Sequence, residues 1–346
     1  MRRYLNTLYI TTDGAWLRKD GANIVMEAGN EVRGRIPMHM LDSLICIGRI
    51  LVSPPLLGYC AEQGICISYL SPNGRFLARV EGPVSGNVLL RREQYRRSDD
   101  PAGCAAIVAN LLIGKIRNQR AVISRGLRDY GDRLADGARS ALQVARKRLA
   151  RLASRLLMER DTNLLRGLEG EAARTYFDVF NHLIRIPDDN LHFRGRSRRP
   201  PLDAVNALLS FLYTLLTHDC RSALETAGLD PAVGYLHRDR PGRPSLALDL
   251  VEEFRPVLAD RLALSLLNRR QLGIHDFLRL DNGAVLLQNE ARKKVLVAWQ
   301  ERKREELQHP FLGETAPIGL FMFLQAQLLA RHLRGDLDGY PPFLWK

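Results

Sequence analysis

Over the first eighty positions, apolar residues come in short runs that alternate with polar ones. YLNTLYIT, ANIVMEAG, EVRGRIP, SLICIG, GICISYL and GRFLARV are strand-length segments separated by DG, GN and PNG turn signals, and together they predict a compact β domain. Only SPPLLGYCAEQG (53–64) breaks the pattern, with Ser and Pro where a helix starts and Gly where one stops. From about residue 87 the period changes to 3.6 and β-branched residues thin out. Helices are predicted over 101–119, 132–158, 161–185, 201–226, 244–271, 288–308 and 317–333. The segment QLGIHDFLRLDNGAVLLQ (271–288) holds a DNG turn and predicts a small hairpin. The expected fold class is therefore α+β. A small, β-sandwich-like N-terminal domain spans 1–84, a linker 85–100, and a larger all-α domain 101–346. A chain of 346 residues fits two such unequal domains.

Charge adds a partner to this picture. Lys and Arg number 51 against 38 Asp and Glu, a net charge of +13, which points first to a polyanion such as nucleic acid. Residues 115–161 alone hold thirteen basic and five acidic side chains, +8 of the total. That stretch is read either as the solvated face of a helix or as a surface for duplex phosphates. Only seven of the basic residues are lysine, and arginine's planar fork suits phosphate, although base composition in the host genome would produce the same skew. The five cysteines show no C-x-x-C spacing and do not read as a disulfide framework, so a cytoplasmic location is expected. No signal pattern opens the chain and no run of 18 apolar residues exists, so neither export nor membrane spanning is expected. No phosphate-cradling G-x-x-x-x-G-K-[ST] loop is present, which argues against ATP hydrolysis.

Against this basic background, the acids in HRDRPGRPSLALDLVEEFRP (237–256) stand out. Asp249 lies three residues before Glu252 and four before Glu253, so each pair can share one face of the predicted helix. Neighbouring carboxylates repel unless a cation or a proton separates them. His237 sits twelve residues before Asp249, on a loop able to fold back over the helix start. Imidazole with carboxylates suits Mg²⁺ or Mn²⁺. The alternative is a solvated acidic face paired with Arg238, Arg243 and Arg255. A third carboxylate, Glu169, sits beside Gly170 at the start of another strong helix, in LLRGLEGEAARTYFDVFNHLI (164–184). Arg194, Arg196, Arg198 and Arg199 are the clearest candidate DNA contacts, followed by Arg243 and Arg255.

Three separated blocks carry a resemblance. GLEGEAARTYF, FRGRSRRPPLDAVNALLSFLYTLL (193–216) and VGYLHRDRPGRPSLALDLVEEFRP (233–256) resemble, in order and spacing, the CRISPR-associated adaptation integrase and endonuclease family. The resemblance covers most of the chain, and the tail DLDGYPPFLWK resembles the type I-C branch of that family. It implies that the all-α domain is catalytic and that Glu169, His237 and Glu252 are its metal ligands. Asp249, also assigned to the catalytic set, is implied as a support or alternate ligand, and Glu253 matches no ligand position. Asn206 matches a family position near the site, and is read either as a DNA contact or as a buried amide bonded to backbone.

The activity implied is integration of short foreign-DNA fragments into a repeat array by attack of a 3′ hydroxyl on a phosphodiester, dependent on Mg²⁺ or Mn²⁺. The partners implied are double-stranded DNA, a second copy of the chain docked through the β domain, and a small ferredoxin-fold adaptation protein. Two other functions fit the same residues: a structure-selective nuclease using water in place of the hydroxyl, and a nucleic-acid-binding protein without catalysis. The aromatic tail PPFLW is read either as a docking segment or as packing against its own domain.

Overall fold

Alternation in the first eighty residues builds two four-stranded sheets around one helix. The computed structural model describes residues 7–29, 31–41, 43–72, 76–80, 82, 88–197 and 200–345. Arg198 and Arg199 lie outside the described residues. The chain divides into two compact units, residues 1–85 with 292–297, and residues 86–291 with 298–346.

In the first unit the strands are β1 (Thr7–Ile10), β2 (Trp16–Asp20), β3 (Asn23–Ala28), β4 (Glu31–Pro37), β5 (Ser43–Ile47), β6 (Leu51–Val52), β7 (Cys66–Leu70) and β8 (Phe76–Val80). They form sheets in the orders β1-β5-β7-β8 and β4-β3-β2-β6. Alternate residues such as Leu17, Ile24, Leu44, Cys46 and Ile67 point into a shared core, which Leu56 and Cys60 of α1 (Pro54–Gln63) complete. Gly64 ends α1 with a positive φ of 69°, as its position at the helix stop predicts. Pairing of β2 with β3 was not foreseen: β2 reads WLRKD, in which Leu17 is fully buried but Trp16 is 41% exposed, so hydrophobicity does not alternate cleanly.

The second unit is helical: α2 (Val88–Asp99), α3 (Pro101–Tyr130), α4 (Asp136–Leu156), α5 (Thr162–Asp178), α6 (Ala204–Thr226), α7 (Ser245–Phe254) and α8 (Arg261–Asn268), followed by α9 (Asn289–Arg304), of which residues 292–297 group with the first unit, and α10 (Phe321–Leu333). Aspartates start three of these helices. Asp100, Asp161 and Asp203 each accept from backbone N–H groups of the first turn of α3, α5 and α6. The hairpin expected within 271–288 is β9 (Phe277–Arg279) with β10 (Val285–Leu287). Helix α3 runs well past the expected 119, because Val122, Ile123 and Gly126 continue its buried stripe between outward arginines. The stretch expected as linker contains α2, whose Gln94 amide donates to the carbonyls of Asp230 and Val233 at 2.8 and 2.9 Å. Helix α9 stops short of 308, where β11 (Glu306–Gln308) pairs with β12 (Thr315–Pro317).

The predicted helix 244–271 is one path with a defect in it. Pro256 has no N–H to donate, and the chain passes from α7 to α8 through a π-helical turn, Arg255–Asp260. Asp260 on that turn accepts a 2.6 Å hydrogen bond from the Tyr213 hydroxyl of α6. The C-terminal segment packs within this unit. Phe343 stacks on Phe254 with ring centroids 5.2 Å apart, and Asn118 of α3 holds the segment by bonds to Phe343 O and Trp345 N. Among the described residues, no helix is long and apolar enough to cross a membrane.

Candidate active site

Helices α3, α5 and α7 meet at the site, all within the helical unit. Helix α7 is amphipathic, with Asp249, Glu252 and Glu253 all buried, which rules out the solvated acidic face. Burial of carboxylates is tolerated only where each has partners. The three acids take different ones.

Asp249 is fully buried and accepts four hydrogen bonds. Three come from backbone N–H groups of Tyr235, Leu236 and His237, at 2.6, 3.0 and 2.9 Å, and the fourth joins its Oδ1 to Nδ1 of His237 at 2.7 Å. The loop bearing His237 is thereby folded back on the start of α7. Gly234 permits that approach, since a Cβ there would lie 2.8 Å from Ser245 and 2.9 Å from Oδ2 of Asp249. Glu253 faces the opposite way. It accepts from the Tyr340 hydroxyl, the Gln325 amide and Phe343 N at 2.6, 3.0 and 2.7 Å, while burial pushes its pKa up to about 8.

Glu252 belongs to an ionic chain. Its Oε1 meets Arg255 at 2.6 Å, and its Oε2 lies 2.7 Å from Nζ of Lys115 on α3. The same ammonium contacts Oε1 of Glu169 on α5. Glu252 Oε2 is buried, and the Lys115 ammonium is its partner. Burial works against ionising Glu252, but Arg255, Lys115 and His237 outweigh it and hold the carboxyl below its ordinary range. For Lys115 burial likewise opposes the charge, and Glu252 and Glu169 overcome it to raise the pKa. Both groups are therefore ionised at neutral pH.

A cavity of about 280 Å³ opens onto this cluster, lined by Glu169, His237 and Glu252 together with Leu236, Arg166, Arg238, Arg240, Arg243 and Arg255. The three expected ligands thus share one cavity. They do not close on a single point: among the described residues no three His, Cys, Asp or Glu side chains are spaced to hold an ion as they stand. An ammonium between two of them accounts for this. The donor set nonetheless fits a hard divalent cation. Two carboxylates already share one positive charge, and the Asp249 bond at Nδ1 leaves Nε2 of His237 for an ion.

The remaining expected residues fall into two groups. Arg243 and Arg255 line the cavity, with Arg255 turned inward onto Glu252 and over the Tyr213 ring at 4.9 Å. Arg194 is exposed, whereas Arg196 is half-buried, 5.1 Å from the Tyr213 ring centroid and bonded to Oδ1 of Asn206. Asn206 is fully buried, and its amide also bonds Ser197 N, Gly195 O and Asp203, so it fastens the arginine loop to α6. Sequence reasoning passed over Lys115, Arg166, Arg240 and Tyr213. One signal was present: Lys115 falls on the buried stripe of α3, four residues before Gln119 and seven before Val122, where a charge needs a partner.

A family model described as CRISPR associated protein Cas1 matches residues 8–301. The chain belongs to the Cas1 family. It is an enzyme, a CRISPR-associated endonuclease of adaptation. It is similar to the CRISPR-associated endonuclease Cas1 of Rhodospirillum rubrum, at 61% identity over 347 residues covering 100% of both chains. It is also similar to the Cas1 endonuclease of Chlorobaculum tepidum, at 50% identity over 346 residues and 100% of both. In fold it resembles a solved Cas1 protein from Thermotoga maritima, with a TM-score of 0.79 and 22% identity over 95% of this chain and 97% of that one. A second likeness of fold is to a Cas6-RT-Cas1–Cas2 complex, with a TM-score of 0.83 and 24% identity, covering 99% of this chain and 36% of that chain.

Proposed function

We propose that this Cas1 endonuclease inserts short foreign-DNA fragments into a repeat array, using Glu169, His237 and Glu252 to hold Mg²⁺ or Mn²⁺. The observation that carries this reading is the shared cavity: two carboxylates and an imidazole face one space, and arginines rim it. A 3′ hydroxyl of the fragment attacks a phosphodiester of the repeat, and the former 3′ oxygen leaves in line, so no covalent protein intermediate forms. The divalent ion, when bound, supplies charge that polarises the scissile phosphate and lowers the pKa of the attacking hydroxyl.

The chain's own residues position the reaction. Asp249 fixes the His237 ring, Arg255 holds Glu252 in place, Arg166 steadies the His237 loop by donating to Tyr235 O and Leu236 O, and Arg240 and Arg243 line the cavity where neighbouring phosphates would pass. Exposed Arg194 extends that path, with Arg198 and Arg199 proposed to follow it, while Asn206 and Arg196 brace the loop from inside. The partners proposed are double-stranded DNA, a second copy docked through the β domain of residues 1–84, and the small ferredoxin-fold protein Cas2. The similarity to a complex containing Cas1 and Cas2 supports the last as a matter of fold. We assign the chain to the type I-C branch on its tail, DLDGYPPFLWK, and place its work in the cytoplasm, where its five free cysteines stay reduced.

Glu169→Ala or His237→Ala is expected to abolish joining of a labelled 3′-OH fragment to repeat DNA, with DNA affinity within a few fold of the parent. Joining at the parent rate by either variant would show that these side chains do not hold the catalytic ion. A shortened product in place of a joined one, with the small partner present, would favour the structure-selective nuclease.

A further inference from the structure

A lysine on the buried stripe of a long helix is costly unless its charge is met. Lys115 is 4% exposed, and its ammonium lies between Glu169 and Glu252, which come from helices α5 and α7 and from opposite sides of the site. Arg255 already neutralises the other oxygen of Glu252. The four charges, two carboxylates and two cations, sum to zero in the protein as it stands. A divalent ion cannot engage the same two carboxylate oxygens while the ammonium holds them.

We propose that Lys115 is the resident counter-cation of the Glu169–Glu252 pair: it keeps the two carboxylates together before an ion is loaded and must withdraw when one binds, so it sets the affinity of the site for metal. The inference rests on the metal reading of this cavity. A flexible four-carbon stem lets the ammonium retreat while its helix stays in place. Because only the fraction of molecules with the ammonium withdrawn can take the ion at full strength, the observed affinity is lowered by that fraction. Without the ammonium, two like charges face each other across the cavity. The metal-free protein then loses stability, which an added ion restores.

The test uses the full chain as wild type, K115M, K115Q and E169A, with Mn²⁺ as probe. Free Mn²⁺ is followed by its electron paramagnetic resonance signal and melting by differential scanning fluorimetry. K115M and K115Q are expected to bind Mn²⁺ at least about fivefold more tightly than wild type. They are also expected to melt below wild type without metal and to recover its metal-bound melting temperature at saturation. Folded K115M and K115Q that bind Mn²⁺ no more tightly than wild type, or that stay destabilised at saturation, overturn the proposal and leave Lys115 a structural lysine. Wild type binding no more Mn²⁺ than E169A sinks the metal reading itself, and this inference with it.

Discussion

Four hydrogen bonds surround the carboxylate of Asp249, and every one of them ties it to the loop of residues 235–237. The bond from Nδ1 of His237 to Asp249 fixes the orientation of a ring that lines the cavity and leaves Nε2 unengaged by that bond. Asp249→Asn presents an amide where three N–H groups require an acceptor. It is expected to lower strand joining by about 10- to 100-fold and to weaken Mn²⁺ binding alongside. Parent-level joining by a folded D249N would remove Asp249 from the account. Glu253, one residue beyond Glu252, makes a different prediction. Its folded pKa of about 8 lies above the ordinary 4.5, so the stability its protonated form contributes is complete below about 4.5 and is lost as pH rises through about 8. Melting curves of wild type should therefore fall relative to those of Glu253→Gln between about pH 5 and about pH 9, whereas parallel curves would contradict the assignment. The resemblance pointed to Glu169 in one block and to His237 and Glu252 in another, and folding brings the three to one cavity. Lys115 was not legible: its partner Glu169 lies 54 residues away, and only folding shows what a lone lysine on an apolar stripe touches.

At the scale of elements, the hydrophobic period carried most of the reading. Helices expected from 101, 161 and 201 begin at Pro101, Thr162 and Ala204, where Asp100, Asp161 and Asp203 cap them, and the DNG turn gave the β9–β10 hairpin. What stayed hidden depends on tertiary contact. Strand β2 holds its place by pairing with β3 and β6, not by alternation, and the π turn after α7 follows from Pro256 inside a path that otherwise reads as one helix. The close approach of the His237 loop to α7 is another such feature, and Gly234 makes it testable. Gly234→Ala would set a Cβ against the backbone of Ser245, which cannot yield as a flexible side chain does. The substitution is expected to cost about 1–3 kcal/mol of stability in denaturant unfolding and to depress joining by shifting His237. Unaltered unfolding and joining would show that the loop tolerates a wider gap.

On the whole-molecule scale, a net charge of +13 and the two cavity carboxylates, Glu169 and Glu252, serve one arrangement. They line a cavity with five arginines, an arrangement that would draw phosphates to the place where an ion would be held. Composition alone pointed to a polyanion. The site became visible only once α3, α5 and α7 had been brought together, because its members are scattered from residue 115 to residue 255. The central claim is that Glu169, His237 and Glu252 hold one divalent ion. Anomalous diffraction from crystals soaked in Mn²⁺ tests it most directly. The account predicts a single strong peak bounded by those three side chains, with the Lys115 ammonium moved off the carboxylates; a peak elsewhere, or none with Lys115 still between Glu169 and Glu252, contradicts it.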